Sequence, residues 1–106
     1  MSLEGLIPSV DDFLAMPPES AATHVLHVAR GLSTDGIFDA RELLTKHDGT
    51  AGYAGGRVAV YGDEFTGRVA AKVDQALHWL VMTGAIYPAY TDRVGTFRIG
   101  QAPAAR

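Results

Sequence analysis

Residues 68–100 read RVAAKVDQALHWLVMTGAIYPAYTDRVGTFRIG, and the repeat of apolar residues changes within them. With Phe65 just upstream, Val69, Val73, Ala76, Leu77, Leu80 and Val81 return every three or four positions, a spacing that lays them along one stripe of an α-helix. The pattern predicts a helix of about five turns beginning at Asp63 or Glu64, the most regular element of the chain and the centre of its core. Gly84 stands where a left-handed residue closes such a helix. Beyond it, Ala85-Ile86-Tyr87 and Thr96-Phe97-Arg98-Ile99 flank a polar turn from Thr91 to Gly95, which predicts a β-hairpin.

Upstream of the long helix lie glycines 49, 52, 55, 56 and 62, around the extended run Arg57-Val58-Ala59-Val60-Tyr61. This segment reads as a loop that holds a strand. Earlier still, Asp35-Gly36 predicts a turn, Ile37-Phe38 a very short extended piece, and Asp39 the cap of a helix through Ala40, Leu43 and Leu44 to His47, stopped by Asp48-Gly49. Ala22, Val25, Leu26 and Ala29 recur at helical spacing after Pro17-Pro18-Glu19-Ser20, and Gly31 ends that helix. The first residues mix Leu6, Ile7, Val10, Phe13 and Leu14 with Pro8. They predict an arm or short helix capped by Ser9 or Asp11 and ended at Pro17-Pro18.

The order helix, very short strand, helix, long helix, hairpin resembles the winged helix-turn-helix. The fold expected is therefore α+β, a three-helix core with a C-terminal β-hairpin wing and an N-terminal arm. Two segments carry the resemblance, DGIFDARELL with the helix before it, and residues 68–100 with the Trp79…Gly84-Ala85-Ile86 exit and the Gly95-Thr96-Phe97-Arg98-Ile99 strand. The second is similar to the N-terminal domains of Mrr-type restriction proteins and related prokaryotic defence proteins. The resemblance covers residues 19–100 as the winged-helix domain; the residues themselves suggest 1–18 as an arm or short helix and the small, polar 101–106 as a flexible tail. It implies a DNA-binding module in a regulatory or defence role; no nuclease domain accompanies it, so cleavage is not implied.

Composition bounds the alternatives. At 106 residues with 47% hydrophobic content, the chain has enough apolar surface for one core. It contains no cysteine, which excludes disulfides and thiolate metal sites. No run of about 18 apolar residues is present and the N-terminus is acidic rather than basic, so neither a membrane span nor a secretory signal is expected and the cytoplasm is the expected compartment. The net charge of -3 is unevenly spread. Residues 1–56 hold three cations against eight carboxylates, and residues 57–106 hold six against four. A cationic second half points to an anionic partner, and an ordinary fluctuation of charge explains it as well.

In the winged-helix mode the third helix enters the major groove and the wing touches the backbone or minor groove. Arg68, Lys72, Gln75 and Trp79 fall together beside the buried stripe at about 100° per residue. Arginine and lysine suit guanine or phosphate, and glutamine suits adenine. Arg93 in the wing turn, Arg98 on the last strand out of phase with Phe97 and Ile99, and Arg57 before the helix would extend that surface. The alternative is a solvated helix face with Trp79 at an interface. A protein-interaction or dimerisation role would then use Trp79, Met82, Phe13 and Leu14, with a homodimer or another protein as partner. His24 and His27 share a helix face, yet no third ligand follows at a telling spacing, so no metal is expected. The glycines lack a phosphate-loop lysine and no nucleophile elbow occurs, so no cofactor and no enzymatic activity are expected.

Overall fold

Two serines start the chain's first elements, because their hydroxyls take up amide protons that a helix leaves unpaired at its N-terminus. In the computed structural model, which describes residues 2–47, 56–89 and 95–100, Ser2 caps α1 (Leu3–Leu6) by accepting from the Gly5 amide at 3.0 Å. Ser9 caps α2 (Val10–Ala15) by accepting from the Asp12 amide at 3.3 Å. The arm is thus two short helices broken at Pro8. It lies on the body rather than beside it, since Leu3, Ile7 and Phe13 are buried.

Helix α3 (Pro18–Leu32) opens with proline in its first turn, where the missing N–H costs nothing. It buries Ala21, Ala22, Val25, Val28 and Ala29. It runs one residue past Gly31 and ends at Ser33, whose hydroxyl donates to the Arg30 carbonyl at 2.9 Å. A two-residue reversal follows. Asp35 and Gly36 both have positive φ, at 54° and 79°, and Thr34 and Ile37 exchange both backbone bonds at 2.8 and 3.0 Å. This turn matches the right-handed twist of strands and leads directly into β1 (Ile37–Asp39).

The helix expected from Ala40 to His47 is cut short. Asp39 caps it as predicted, accepting from the Arg41 amide at 2.9 Å, but only a 3-10 turn forms at Ala40–Leu44. Thr45–His47 is instead β2, paired antiparallel with β3 (Arg57–Ala59). Pairing satisfies the backbone of both strands, and Thr45 is β-branched, which favours extended backbone over helix.

A second 3-10 turn at Asp63–Phe65 leads into α4 (Thr66–Met82), which buries Val69, Val73, Ala76, Leu77 and Leu80. Its C-terminus is closed by Gly84 at φ 80°. The Ala85 amide reaches the Leu80 carbonyl at 2.9 Å and the Gly84 amide reaches Val81 at 3.1 Å, the paired bonds of a Schellman motif. Strands β4 (Ile86–Pro88) and β5 (Thr96–Ile99) then form the expected hairpin.

The architecture is α+β. Sheet order is β1-β5-β4, all antiparallel, with β2-β3 as a separate ribbon. Register decides the faces. Phe38, Phe97, Ile99 and Ile86 share the side that joins α3 and α4 in one apolar core, while Ile37, Arg98 and Tyr87 form a row on the other side. No described helix is long and apolar enough to cross a membrane.

Phe13 is completely buried and stacks on Tyr61 with ring centroids 6.0 Å apart. Removing its ring leaves a cavity that the arm cannot refill. Phe13→Ala is expected to lower unfolding free energy by about 3 kcal/mol in a denaturant titration, whereas an arm that contributes little to the fold would change it by less than about 0.5 kcal/mol.

Candidate functional site

The outward edge of α4 assembles from spacing alone. Arg68, Gln75, Trp79 and Met82 fall within an arc of about 60° on a helix that turns about 100° per residue, and all four are exposed. Trp79 is 42% exposed and Met82 73%. The Arg68 guanidinium lies 5.0 Å from the Phe65 ring centroid, a cation–π contact that holds it against the N-terminal end of the helix.

Lys72 leaves this edge. Its ammonium donates to the Met16 carbonyl at a part-buried position. The reason is local: Met16 caps the C-terminus of α2, and Pro17 that follows has no N–H, so the end of the arm presents carbonyl oxygen without nearby backbone donors. In this structure the Lys72 ammonium is engaged by the end of the arm rather than standing free beside Arg68 and Gln75.

Arg98 and Arg57 also separate from α4. Arg98 is exposed as its phase predicted, but on the sheet face opposite the one that packs on α4, across from Ile37 and Tyr87 in the pairing. Arg57 belongs to the β2–β3 ribbon, where it faces His47 in register and donates to the Thr45 hydroxyl at 2.8 Å and to its carbonyl at 3.2 Å. Arg93 lies outside the described residues. The six candidate DNA contacts therefore do not share one surface among the described residues. Of the apolar interaction candidates, Trp79 and Met82 are exposed, while Phe13 is core and Leu14 packs partly buried against it. The apolar phase of α2 turns both inward, which takes Phe13 and Leu14 out of the set of side chains open to a partner.

Two clusters escape sequence reasoning. One is a groove of about 440 Å³ beside Glu4, Lys46 and Tyr61. Glu4 Oε1 accepts from Lys46 Nζ at 2.8 Å and from the Tyr61 amide at 2.7 Å. The Lys46 hydrogen bond first, then the Tyr61 amide, hold the Glu4 carboxyl below its ordinary range. The Tyr61 hydroxyl donates to the carbonyls of Ile7 at 2.7 Å and Leu3 at 3.2 Å. Burial, with the Glu4 charge second, pushes the Tyr61 phenol up to about 12. These bonds tie the arm to the residues that precede α4 and to β2. The other cluster surrounds Arg30, Tyr87 and Arg98 in a groove of about 620 Å³. Only the β1–β5 pairing, which no local pattern encodes, brings Arg30 to Arg98.

His24 donates from Nδ1 to the Ser20 carbonyl at 2.8 Å, and His27 is exposed. Among the described residues no group of three or more His, Asp or Glu is placed to hold a metal ion. Comparison with protein-family models, with curated proteins and with solved structures finds no match to this chain.

Because the Tyr61 phenol is raised from about 10 in an unfolded chain to about 12 in the folded one, its contribution to stability is complete below pH 10. It is lost as pH rises between those values. Tyr61→Phe is expected to remove one component near pH 12 from the ultraviolet tyrosine titration and to lower stability at neutral pH by about 1 kcal/mol. Loss of a component at about pH 10 instead would show that Tyr61 ionises as a free phenol.

Proposed function

We propose that this chain is a winged helix-turn-helix module that works by docking protein, in the first place a second copy of itself, on the outward edge of α4. The order α3, β1, 3-10 turn, α4, β4–β5, with β1 beside β5, supports the winged-helix assignment. The short second helix and the inserted β2–β3 ribbon depart from the simplest pattern. The observation that carries the function is Trp79 with Met82, adjacent at i and i+3 on one helix edge and left open to solvent. Tryptophan, methionine and arginine are the side chains enriched where proteins bind one another. Arg68 and Trp79 on the same edge make it self-complementary: across a two-fold axis each indole packs on the partner's guanidinium, and the reverse.

Trp79 is the chain's single tryptophan, so its fluorescence reports on this edge alone. A dimer is expected by light scattering at about 100 μM, with Trp79 shielded from acrylamide, and Trp79→Ala is expected to weaken it about 30-fold, the effect of losing roughly 2 kcal/mol at a hot spot. A monomer at that concentration with a freely quenched indole overturns self-association through α4.

Duplex DNA is the second reading, favoured by Arg68, which makes no ion pair with a described carboxylate and sits on the helix that enters the major groove in this fold. Gln75 stands two turns further along the same edge. A regulatory or defence role rests on the sequence resemblance. If α4 reads DNA, affinity falls with salt and Arg68→Ala weakens binding about tenfold at low ionic strength. A dissociation constant weaker than about 10⁻⁴ M at low salt excludes it.

A further inference from the structure

We propose that the groove on the outer face of the sheet is a nucleotide site, taking a nucleoside diphosphate with its base on Tyr87 and its phosphates on Arg98 and Arg30. The site is independent of α4, which packs on the opposite sheet face.

The groove measures about 620 Å³ and is lined by Arg30, Ser33, Asp35, Tyr87, Arg98 and the backbone around Gly36 and Gly100. That is the size of a small-ligand site. Its walls are fixed by the sheet. Ile99 donates to the Gly36 carbonyl at 2.7 Å and Gly100 to the Ala85 carbonyl at 2.8 Å. Tyr87 is 51% exposed, yet its ring is seated on backbone. A methyl group on Gly100 would come within 3.1 Å of the Tyr87 ring edge and 2.9 Å of the Gly84 carbonyl. The ring therefore needs a glycine beneath it, and a half-exposed aromatic held this way presents a stacking surface at little entropic cost.

The cations are available. Arg98 stands directly across from Tyr87 on the central strand, and no cation–π contact joins the two. Neither Arg98 nor Arg30 makes an ion pair with a described carboxylate, although Asp35 lines the same groove; the ion pairs among described residues are Arg41 with Asp39 and Lys46 with Glu4. Favourable placement of a cation in the last turn of α3 accounts for Arg30 alone. It does not account for a seated ring beside a second arginine. Guanidinium groups match phosphate oxygens in paired geometry. The Asp35 carboxylate opposes a bare polyanion and accepts from a sugar hydroxyl or an amino group, which favours a nucleotide over inorganic phosphate.

Titration calorimetry of the full chain with ADP and, separately, with pyrophosphate tests this. ADP is expected to bind saturably with a dissociation constant below about 1 mM, and more tightly than pyrophosphate. Arg98→Ala and Arg30→Ala are each expected to weaken ADP at least tenfold, and Tyr87→Ala to weaken ADP while leaving pyrophosphate unchanged. Arg57→Ala, on the separate ribbon, is the control expected to bind as the parent does. Amide shifts on adding ADP should cluster at Gly36, Arg98 and Gly100. All these side chains are exposed, and circular dichroism checks that each variant folds. No saturable ADP binding, pyrophosphate binding as tight as ADP, indifference to Tyr87→Ala, or shifts confined to α4 each overturn the proposal. None of these results bears on dimerisation through Trp79.

Discussion

The seam between α3 and α4 is the constraint on which the other features depend. Alanines 21, 22 and 29 on one helix and Ala76 on the other are all but inaccessible to solvent. Small residues at a helix contact let the axes approach, and the separation of two packed helices follows the size of the side chains between them. Val25, Val28, Val69, Val73 and Leu80 fill what remains. Because α4 commits this stripe to the seam, its rotation about its own axis is set, and Arg68, Gln75, Trp79 and Met82 are turned outward as a consequence. A core this close-packed does not permit the helix to roll and offer another edge.

The same seam leaves an end to be covered, and the arm covers it through contacts of unusual sequence separation. Tyr61 has φ 63°, a left-handed conformation that costs a side-chain-bearing residue on the order of 1 kcal/mol or more. Two donors offset that cost: the amide to Glu4, and the single hydroxyl proton, directed mainly at the Ile7 carbonyl and shared with that of Leu3. Glu4 is in turn paired with Lys46 on β2. The ribbon is therefore tied to the arm, and the arm to α4 through Lys72 and Met16. Charge in this part of the molecule is consumed by structure.

What was legible in the sequence was whatever a local rule could encode. The α4 stripe, the Gly84 stop, the Asp35-Gly36 turn and the hairpin follow from periodicity and from residues that tolerate positive φ. The strand at Thr45–His47 was hidden because its partner lies across the glycine-rich segment, and an Asp-capped start with leucines at Leu43 and Leu44 satisfies a helix pattern equally well. Lys72 read as an exposed cation because helical phase places it at the border of the buried stripe; only the position of Met16 decides which way its flexible chain turns. Phe13 stood among the interaction candidates as part of an apolar arm, yet Asp11 and Asp12 are exposed while Phe13 turns inward. In each case the missing information was a contact between distant segments.

The cationic second half of the chain illustrates the difference between a sum and a surface. Its described arginines are distributed by strand and helix phase onto three separate places: Arg68 on α4, Arg98 on the outer sheet face and Arg57 on the ribbon. A polyanion that must touch many phosphates gains little from cations facing different ways, since its affinity grows with the number neutralised together. A small ligand or a protein surface needs only one such place. Arg30 and Arg98 meet beside Tyr87, and Arg68 and Trp79 stand about three turns apart on one edge of α4. Among the described residues the arginines thus stand as separate small patches rather than as one continuous cationic surface.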